Sequence, residues 1–347
     1  MKVIVAMSGG VDSSVAAALL VRHGHDVVGV TMRLWGGASD TGCCSVADVD
    51  DARRVAQQLE IDHLVFNFTD DFERNVVGPY VAAHAGGTTP NPCIECNRRI
   101  KFDRLLRRAD ALGFDAVATG HHARIARTQD GRWSLQRGAD LAKDQSYVVH
   151  MLGAAALART LFPVGNLQKA DVRAIAADLG LRTAAKPDSQ DVCFITSGGG
   201  RREFLGRRLP VHAAEVVDTT GAPIGRLDAI ELVTIGQRKG LGLPGGGPKR
   251  YVVEVDRRTS TVVVGDERDL LVESMSVERV TWAGGPVAGD VRVQCAAHGS
   301  SHAATIAVAD GLVTVSWHEP QRRVAPGQSV VFYDLDDRTV LGGGPAA

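Results

Sequence analysis

The sequence predicts an α/β protein with a parallel, doubly wound sheet in its N-terminal part, followed by two small β-rich domains. Up to about residue 200, short apolar runs alternate with segments of helical periodicity, at the spacing of a parallel sheet with crossover helices. From Val211 onward helical periodicity is mostly lost, and short β-rich runs separated by turn signals follow one another. We therefore expect three domains, at residues 1–200, 201–269 and 270–347.

The composition fits a large folded protein with local rather than overall positive charge. The 347 residues, 44% of them hydrophobic, suffice for two or three domains with substantial cores. The formal net charge is only -1, so nucleic-acid binding would depend on local clusters such as Arg98-Arg99 and Arg201-Arg202. We see no signal peptide and no apolar run of membrane-spanning length, so we expect a cytoplasmic protein without a membrane partner. Its six cysteines are then expected to be thiols, redox participants or metal ligands.

The predicted elements begin with a short strand, Val3–Ala6, and a helix over Val15–Val21 that stops at Gly24. The further elements of the N-terminal part are strands at Val27–Leu34, His63–Phe68 and Asp115–Thr119, a proline-containing loop at Thr88–Asn97, and helices at Val46–Leu59 and Lys169–Leu179. The β-rich runs of the C-terminal part are Leu232–Ile235, Tyr251–Val255, Thr261–Val264, Val291–Cys295, Thr305–Val308, Val313–Trp317 and Ser329–Tyr333.

The stretch from Ala6 to Ser14 is typical of a phosphate-binding loop. Gly9 and Gly10 allow positive φ and close backbone approach, so that successive N–H groups point into one concavity. Asp12 and Ser13 are favourable N-cap residues, and the helix start behind them favours an anion. A tight turn without a ligand is the alternative. The dinucleotide fingerprint and the Walker spacing are both absent.

The run S-G-G-V-D-S within this stretch resembles the loop of the ATP pyrophosphatase (PP-loop) family. Members of that family cleave ATP between the α- and β-phosphates and adenylate a carbonyl-type oxygen. The resemblance implies that the N-terminal domain has the PP-loop fold and uses ATP with Mg²⁺.

Three cysteines distinguish among adenylating functions: the Cys93-x-x-Cys96 pair and the distant Cys193. A C-x-x-C pair in a cytosolic protein is a redox pair, half of a zinc site, or two structural thiols. A four-ligand zinc site would need a second spaced pair, whereas Cys43 and Cys44 are adjacent. Buried, inert thiols remain an alternative for Cys43, Cys44 and Cys295.

The chain as a whole is similar to the bacterial tRNA-specific 2-thiouridylase family. The matching motifs follow in the same order from residue 3 to about residue 344: S-G-G-V-D-S, N-P-C-I-E-C-N-R-R-I-K-F, A-T-G-H-H, K-D-Q-S-Y, L-F-P-V-G, D-V-C-F-I, G-Q-R-K-G-L-G and P-G-Q-S. The resemblance implies that ATP adenylates the 2-oxygen of the wobble uridine. A persulfide on Cys193 then attacks carbon 2, and Cys96 resolves it by forming a disulfide.

The resemblance also implies which residues meet each substrate. The ATP-binding set is Ala6, Met7, Ser8, Gly9, Gly10, Val11, Asp12, Ser13, Met32 and Gly120. The set expected to contact the target base or the tRNA is Asn91, Pro92, Cys93, His121, Lys143, Asp144, Gln145 and Gln328. The β-rich domains would hold the anticodon arm, chiefly through phosphates, and a cysteine desulfurase or sulfur-relay protein would donate the sulfur.

Two departures from the family pattern leave alternatives open. Some members have an aspartate in place of Cys93, so that Cys93, Cys96 and Cys193 form a set with which related enzymes hold an iron–sulfur cluster. Many relatives have an Arg-Tyr pair that contacts tRNA where this chain has Ala297–Ser300, and we do not transfer that contact. The competing functions are an iron–sulfur-dependent tRNA sulfurtransferase, a PP-loop synthase that forms an amide, and a noncatalytic RNA-binding protein.

Overall fold

The computed structural model describes residues 1–35, 45–188, 192–195, 200–243 and 247–347. The strands of the N-terminal part are β1 (Lys2–Ala6), β2 (Asp26–Arg33), β3 (Asp62–Asn67), β4 (Ala116–Ala118), β5 (Ala123–Arg127), β6 (Trp133–Arg137) and β7 (Thr160–Leu161). The helices are α1 (Val11–Arg22), α2 (Val46–Gln58), α3 (Thr69–Phe72), α4 (Gly78–Ala85), α5 (Pro92–Cys96), α6 (Leu105–Ala111), α7 (Ala154–Leu157), α8 (Lys169–Asp178) and α9 (Gly200–Gly206). The π-helical segments Glu73–Val77 and Asn97–Arg104 join α3 to α4 and α5 to α6.

A parallel sheet organises the N-terminal part, with the strand order β3-β2-β1-β4-β7 in the described residues. The central strand β1 pairs Val5 with Gly29 of β2 on one side and with Ala118 of β4 on the other. The chain order reverses between β1 and β4, which makes this pair the topological switch point where open sheets bind ligands. The parallel, doubly wound sheet predicted from the sequence is confirmed.

Each face of the parallel sheet is covered by its own hydrophobic core. Val3 and Val5 pack with apolar residues of α1, α2 and α8, whereas Ile4 and Ala6 pack with residues of α4, α6 and the π-helical segments. Successive residues of a strand point to opposite faces, so a continuous apolar run is what a sheet covered on both sides requires. Within the described ranges, none of the helices has the length and apolar character that crossing a membrane requires.

A helix begins inside the segment that its prolines suggested to be a loop. Asn91 is the N-cap of α5, and its Oδ1 accepts a hydrogen bond from the Cys93 amide at 2.9 Å. Pro92 takes the first helical position, where its fixed φ suits the helix and its missing N–H needs no partner. The loop prediction is therefore right as far as Asn91 and wrong for Pro92–Asn97, because Asn97 begins the π-helical segment.

Two further sheets form the C-terminal part. Their strands are β8 (Ala214–Asp218), β9 (Pro223–Leu227), β10 (Tyr251–Asp256), β11 (Thr261–Gly265), β12 (Leu271–Val277), β13 (Thr281–Trp282), β14 (Gly289–Gln294), β15 (His302–Ala309), β16 (Leu312–Arg322), β17 (Ser329–Tyr333) and β18 (Val340–Pro345). In the described residues the first sheet has the order β10-β11-β8-β9, and the second has the order β12-β16-β15-β14-β17-β18-β13. An antiparallel bridge between Val277 and Ala346 brings the two ends of the second sheet together, as in a barrel.

The β-rich character of the C-terminal part is confirmed, with one exception among its predicted strands. Ile230–Leu232 forms a 3₁₀ turn, and the Val233 amide donates to the carbonyl oxygen of Ile230 at 3.1 Å. The predicted strand Leu232–Ile235 is therefore wrong. A short apolar run does not distinguish a buried turn from a strand, because both bury the same side chains.

Candidate functional site

The loop Met7–Gly10 leaves the carboxyl end of β1 at the switch point, and Gly120 follows β4 beside it. Gly9 has a φ of 73°, and a Cβ at this position would overlap the carbonyl oxygen of Asp48 in α2. A Cβ on Gly120 would lie only 2.6 Å from the amide nitrogen of Ser13. Glycine therefore permits three backbone segments to approach one another here. Such a close-packed backbone cradle, directly before a helix, suits a phosphate group.

Helix α1 begins at Val11, and its N-cap is Gly10 rather than Asp12 or Ser13. The hydroxyls of Ser13 and Ser14 donate back to the carbonyl oxygen of Gly10 at 3.1 and 2.9 Å. The amide of Ser8 donates to Ser13 Oγ at 3.2 Å, which fixes the loop against the helix. The predicted capping by Asp12 and Ser13 is therefore wrong, because both residues already lie inside the first turn.

The Asp12 carboxylate lies between two buried donors. His122 Nε2 donates to Asp12 Oδ1 at 3.0 Å, and Lys169 Nζ lies 2.6 and 2.7 Å from the two carboxylate oxygens. Lys169 reaches the loop from the first residue of α8. Burial acts to raise the pKa of Asp12, but hydrogen bonds from His122 and Lys169 outweigh it and hold the pKa below the ordinary 3.8. The phosphate loop thus carries a firmly ionised carboxylate.

Lys169 also connects the phosphate loop to the chain segment that leads to Cys193. Its Nζ lies 3.0 Å from Asp188 Oδ1, and Asp188 pairs in addition with Lys143 at 2.8 Å and Arg173 at 2.7 Å. Burial acts to raise the pKa of Asp188, but the hydrogen bonds from Lys143 and Lys169 dominate and hold the pKa well below its usual range. A continuous set of ion pairs therefore runs from the nucleotide loop toward Cys193.

The same segment is fixed on its other side by Lys186. Its Nζ lies 2.6 Å from Asp48 Oδ1 and 2.7 Å from Asp51 Oδ2, both on α2. Asp48 is also the residue whose backbone contacts Gly9. Sequence reasoning missed Lys169, Lys186 and Asp188, because their acidic partners are far away in the chain and no local motif joins them.

Two of the predicted cysteines, Cys93 and Cys96, lie on α5, and the segment that carries Cys193 packs against this helix. The Val192 amide donates to Cys93 Sγ at 3.3 Å. The ring of Phe194 lies in a buried cluster with Trp35, Phe72, Tyr80 and Phe204. Cys96 belongs to the same core as Phe194. Both neighbours of Cys193 are thus anchored near α5, and the structure brings the three cysteines into one region.

Backbone strain accompanies this arrangement at Val192, whose φ is 54°. A β-branched residue rarely adopts the left-handed region, and the cost is of order 1 kcal/mol or more. Among the described residues, no disulfide joins Cys93, Cys96, Cys193 and Cys295 to one another. The predicted Cys96–Cys193 disulfide therefore stays a prediction. Cys43 and Cys44 lie outside the described residues.

A cavity of about 370 Å³ opens next to α5. Its walls include Asn91, Pro92 and Gln328, all three predicted to meet the base or the tRNA, together with Tyr80, Val192 and Arg201. Asn91 and Pro92 belong to the cap of the helix that carries the C-x-x-C pair, and Val192 precedes Cys193. The cavity is therefore bounded by the elements that hold all three cysteines.

The other residues predicted to contact tRNA fall into two groups. Lys143, in its ion pair with Asp188, and Gln145, which accepts from the His122 amide at 2.9 Å through Oε1, lie on the loop after β6. His121 and Asp144 are buried inside the protein. His121 packs between rings of the core, and burial holds the pKa of its imidazole well below 6.5. The tRNA contacts of these residues stay predictions.

Arg137, the partner of Asp144, and Gln328 join the N-terminal part to the C-terminal sheet. Arg137, at the end of β6, donates from Nη1 to Asp144 at 2.8 Å and from Nη2 to Asp337 at 2.7 Å, and it stacks 3.7 Å from the centroid of Tyr333. Gln328 donates to the carbonyl oxygen of Thr89. The mouth of the cavity is therefore built from both parts of the chain.

The resemblance implies Mg²⁺ at the phosphate loop and leaves open an iron–sulfur cluster at the cysteines. No cluster of three or more His, Cys, Asp or Glu side chains among them is arranged to hold a metal ion. An iron–sulfur cluster on Cys93, Cys96 and Cys193 stays a prediction. At the phosphate loop, by contrast, Asp12 offers one carboxylate beside the backbone cradle. That set suits Mg²⁺, which binds through one or two carboxylates and the phosphates of its substrate.

Three family models match successive parts of the chain. Residues 1–197 match a model described as tRNA methyl transferase HUP domain, residues 202–266 one described as tRNA methyl transferase PRC-barrel domain, and residues 272–346 one described as aminomethyltransferase beta-barrel domain.

The full-length relatives carry a different name. The tRNA-specific 2-thiouridylase MnmA of Mycolicibacterium vanbaalenii is 49% identical to this chain, over 99% of this chain and 98% of that protein. The protein of the same name from Mycolicibacterium smegmatis is 47% identical, over 97% of this chain and 96% of that protein. Among solved structures, the U34-tRNA thiolase NcsA from Methanococcus maripaludis with its [4Fe-4S] cluster is 19% identical, with a TM-score of 0.37 over 54% of this chain and 60% of that chain.

Similarity to the thiouridylases extends over almost the whole of both chains, whereas that to the solved structure is too low to support an inference. The chain therefore belongs to the tRNA-specific 2-thiouridylase family.

Proposed function

We propose that this protein catalyses the ATP-dependent 2-thiolation of the wobble uridine of tRNA. One observation carries the proposal. The segment before Cys193 is tied by ion pairs to the phosphate loop, while Val192 packs on Cys93 at the edge of the cavity. A single chain segment thus connects a nucleotide site with a thiol site. An enzyme that first adenylates an oxygen and then replaces it with sulfur needs such a connection.

In the first reaction, the 2-oxygen of the uracil attacks the α-phosphate of ATP, and pyrophosphate leaves. This step turns a poor leaving group into AMP. The loop Ala6–Ser13, with Met32 and Gly120, holds the nucleotide, and its backbone N–H groups stabilise the charge on the phosphates. Asp12 would hold Mg²⁺, which neutralises phosphate charge. Lys169 and His122 keep Asp12 ionised for that purpose.

In the second reaction, the terminal sulfur of a persulfide on Cys193 attacks carbon 2 and AMP leaves. The Cys96 thiolate then attacks Cys193 Sγ and breaks the sulfur–sulfur bond. The new sulfur stays on the base, and Cys96 and Cys193 are left as a disulfide, which a cellular thiol reductant must reduce by two electrons. Asn91, Pro92 and Cys93 border the cavity and would face the base, which must leave its stack to enter.

The remaining assignments concern the tRNA and the sulfur donor. We propose three domains, 1–200, 201–269 and 270–347, of which the β-rich two hold the anticodon arm. We propose that Lys143, Gln145 and Gln328 contact the bound arm. Gln328 lines the cavity, and Arg98 and Arg99 beside α5 add positive charge. The sulfur would come from a cysteine desulfurase or a sulfur-relay protein.

A reaction with the purified protein tests the proposed function. The protein is incubated with ATP, Mg²⁺, unmodified tRNA, a cysteine desulfurase and cysteine, and the tRNA is then digested to nucleosides. We expect 2-thiouridine that depends on ATP, with AMP and pyrophosphate as products. An amide-forming PP-loop synthase would release pyrophosphate only with an amine or ammonia, and a noncatalytic RNA-binding protein would release none.

The two proposed catalytic cysteines should fail at different steps when each is replaced. We expect Cys193→Ser to adenylate the tRNA without thiolating it, because the phosphate chemistry needs no thiol. Cys96→Ser should accept sulfur on Cys193 but not release the product. Mass spectrometry after exposure to the desulfurase and cysteine should show an adduct of about 32 Da in Cys96→Ser and none in Cys193→Ser.

Cys295→Ser is the matched control for this experiment. Burial raises the pKa of the Cys295 thiol to about 12, so it is not a nucleophile near neutral pH. Its replacement should leave adduct formation and thiolation unchanged. An adduct that persists in Cys193→Ser, or loss of adenylation in both catalytic variants, would contradict the roles assigned to Cys96 and Cys193.

A further inference from the structure

Arg201 is a half-buried arginine that lines the cavity without a carboxylate partner among the described residues. It lies on α9, and within the described residues its side chain donates from Nη2 to the carbonyl oxygen of Leu232 at 3.0 Å. The guanidinium group has five N–H donors in a fixed fork. A single carbonyl contact therefore holds the group in place and leaves most of its donors for another ligand.

Tyr80 lines the same cavity as Arg201. Its ring packs against His84 and Phe194, with centroids 4.6 and 5.7 Å away. Burial raises the pKa of its phenol, while the charge of Arg201, which lines the same cavity, acts in the opposite direction. The Tyr80 hydroxyl is thus a protonated donor in the same cavity as a cation. Both groups offer hydrogen-bond donors, and neither has an acidic acceptor among the described side chains.

We propose that Arg201, assisted by Tyr80, forms an anion subsite that binds the phosphodiester next to the target uridine. This inference rests on the proposed function and adds a subsite to it. A base that has left its stack brings its own phosphate to the rim of the pocket that receives it. A partly desolvated guanidinium is the side chain best suited to that group, because it binds phosphate through paired hydrogen bonds.

The position of the subsite favours the backbone of the nucleic acid over a phosphate of ATP. The residues that line the cavity come from α4, from the cap of α5, from the segment around Cys193 and from the C-terminal sheet, and the phosphate loop contributes none of the described lining. Arg201 is itself held by Leu232 of the central β-rich part. The guanidinium therefore belongs to the wall that faces the tRNA.

Replacing one phosphodiester of the nucleic acid by a neutral linkage tests the subsite without changing the protein. An anticodon stem-loop is made with one methylphosphonate at each position in turn around the target uridine, and binding to the wild-type protein is measured. We expect the linkage next to the uridine to weaken binding about tenfold, as the loss of one charge-assisted hydrogen bond predicts. A more distant linkage should change binding by less than about twofold.

The variant Arg201→Gln links that effect to Arg201, because glutamine keeps an amide donor for Leu232 but removes the charge. We expect weaker binding of the unmodified stem-loop, a smaller salt dependence, and no further loss from the neutral linkage. Arg202→Gln is the matched control, since Arg202 is the next residue on α9, is exposed and does not line the cavity. Arg202→Gln should weaken stem-loop binding only slightly, and by the same factor at every position of the neutral linkage.

Three results would overturn the subsite. One is a flat profile, in which no linkage near the uridine matters more than a distant one. Another is an equal loss from the neutral linkage in wild type and in Arg201→Gln. The third is unchanged stem-loop binding in Arg201→Gln together with weaker ATP binding, which would assign the group to the nucleotide. All three results come from binding measurements. Failure of the proposed function would instead appear as the absence of 2-thiouridine in the reaction with the wild-type protein. The two failures are therefore distinguishable.

Discussion

Asp12 illustrates how a single carboxylate serves both the stability of the fold and the proposed chemistry. Its neighbours Lys169 and His122 are buried, so removing the negative charge leaves the buried Lys169 ammonium with Asp188 as its remaining carboxylate partner. We expect Asp12→Asn to destabilise the protein by about 3 kcal/mol and to abolish adenylation. Chemical denaturation and tRNA-dependent pyrophosphate release measure the two effects. Asp50→Asn, which changes an exposed pair with Arg54, is the control.

The double variant Asp12→Asn, Lys169→Met separates the two roles of the carboxylate. Removing the cation as well should recover much of the lost free energy of unfolding, because the pair is replaced by groups that need no charge partner. Pyrophosphate release should stay absent, since the loop still lacks its carboxylate. Recovery of both stability and adenylation would contradict the role of Asp12 at the phosphates.

The pH dependence of stability follows from the lowered pKa of Asp12. A carboxyl group whose pKa is lower in the folded protein stabilises the fold above its unfolded pKa, 3.8, and that stabilisation is lost as the pH falls through the folded value. The difference in unfolding free energy between wild type and Asp12→Asn should be constant near neutral pH and shrink below about pH 4. A difference that instead grows with acidity would contradict the ion pair.

At the scale of single residues, the sequence indicated the glycines and Asp12 of the loop but not Lys169. The S-G-G-V-D-S run is local, so its positions can be assigned without a structure. Lys169 lies 157 residues from Asp12 in the chain, and only the packing of α8 on α1 brings the two together. The sequence marks Arg201 only as half of the basic pair Arg201-Arg202, and that pair does not predict a place in a cavity.

At the scale of elements, the loop between β1 and α1 depends on the missing side chain of Gly9. Gly9 and Gly24 have similar φ values, 73° and 75°, but a Cβ on Gly24 would meet nothing within 4 Å. We expect Gly24→Ala to cost about 1 kcal/mol from the left-handed conformation alone. Gly9→Ala should cost clearly more and weaken ATP binding, because the new Cβ collides with the backbone of Asp48.

Denaturation curves and ATP titrations of the two glycine variants provide the comparison. Equal losses of stability would show that the loop yields to the added methyl group, and the close approach of α2 to the loop would then have no consequence. Unchanged ATP affinity in Gly9→Ala would argue against this loop as the nucleotide site.

The elements that the sequence predicted poorly are those in which a strong local signal has two interpretations. Pro92 is typical of a loop, but at the first position of a helix a proline is favourable, and Asn91 supplies the cap. Asp12 and Ser13 suit an N-cap, but the glycine before the helix takes that position. Periodic elements such as α8 and the parallel strands were predicted well, because burial on one or both faces sets their pattern.

At the scale of the whole molecule, the sequence predicted two β-rich parts but not how they dock on the parallel sheet. Docking depends on a few polar side chains whose partners lie far away in the chain. Arg137 is the clearest example, since its partners Asp337 and Tyr333 are 200 and 196 positions later. An antiparallel bridge between Gln136 and Thr339 continues the same contact. No periodicity in the sequence marks such a junction.

Arg137→Met should loosen the C-terminal sheet while leaving the phosphate loop intact. The change removes two ion pairs and leaves Asp144, whose side chain is only 5% exposed, without its cation. We expect a loss of about 3 kcal/mol, faster hydrogen exchange in β17 and β18, and weaker tRNA binding at unchanged ATP affinity. Arg127→Met is the control, because Arg127 stacks on Trp133 in the same hairpin but is exposed, so its loss should cost less than about 0.5 kcal/mol. If exchange in β17 and β18 is the same in both variants, the sheet is held by its apolar contacts, and the ion pairs of Arg137 do not join the two parts of the chain.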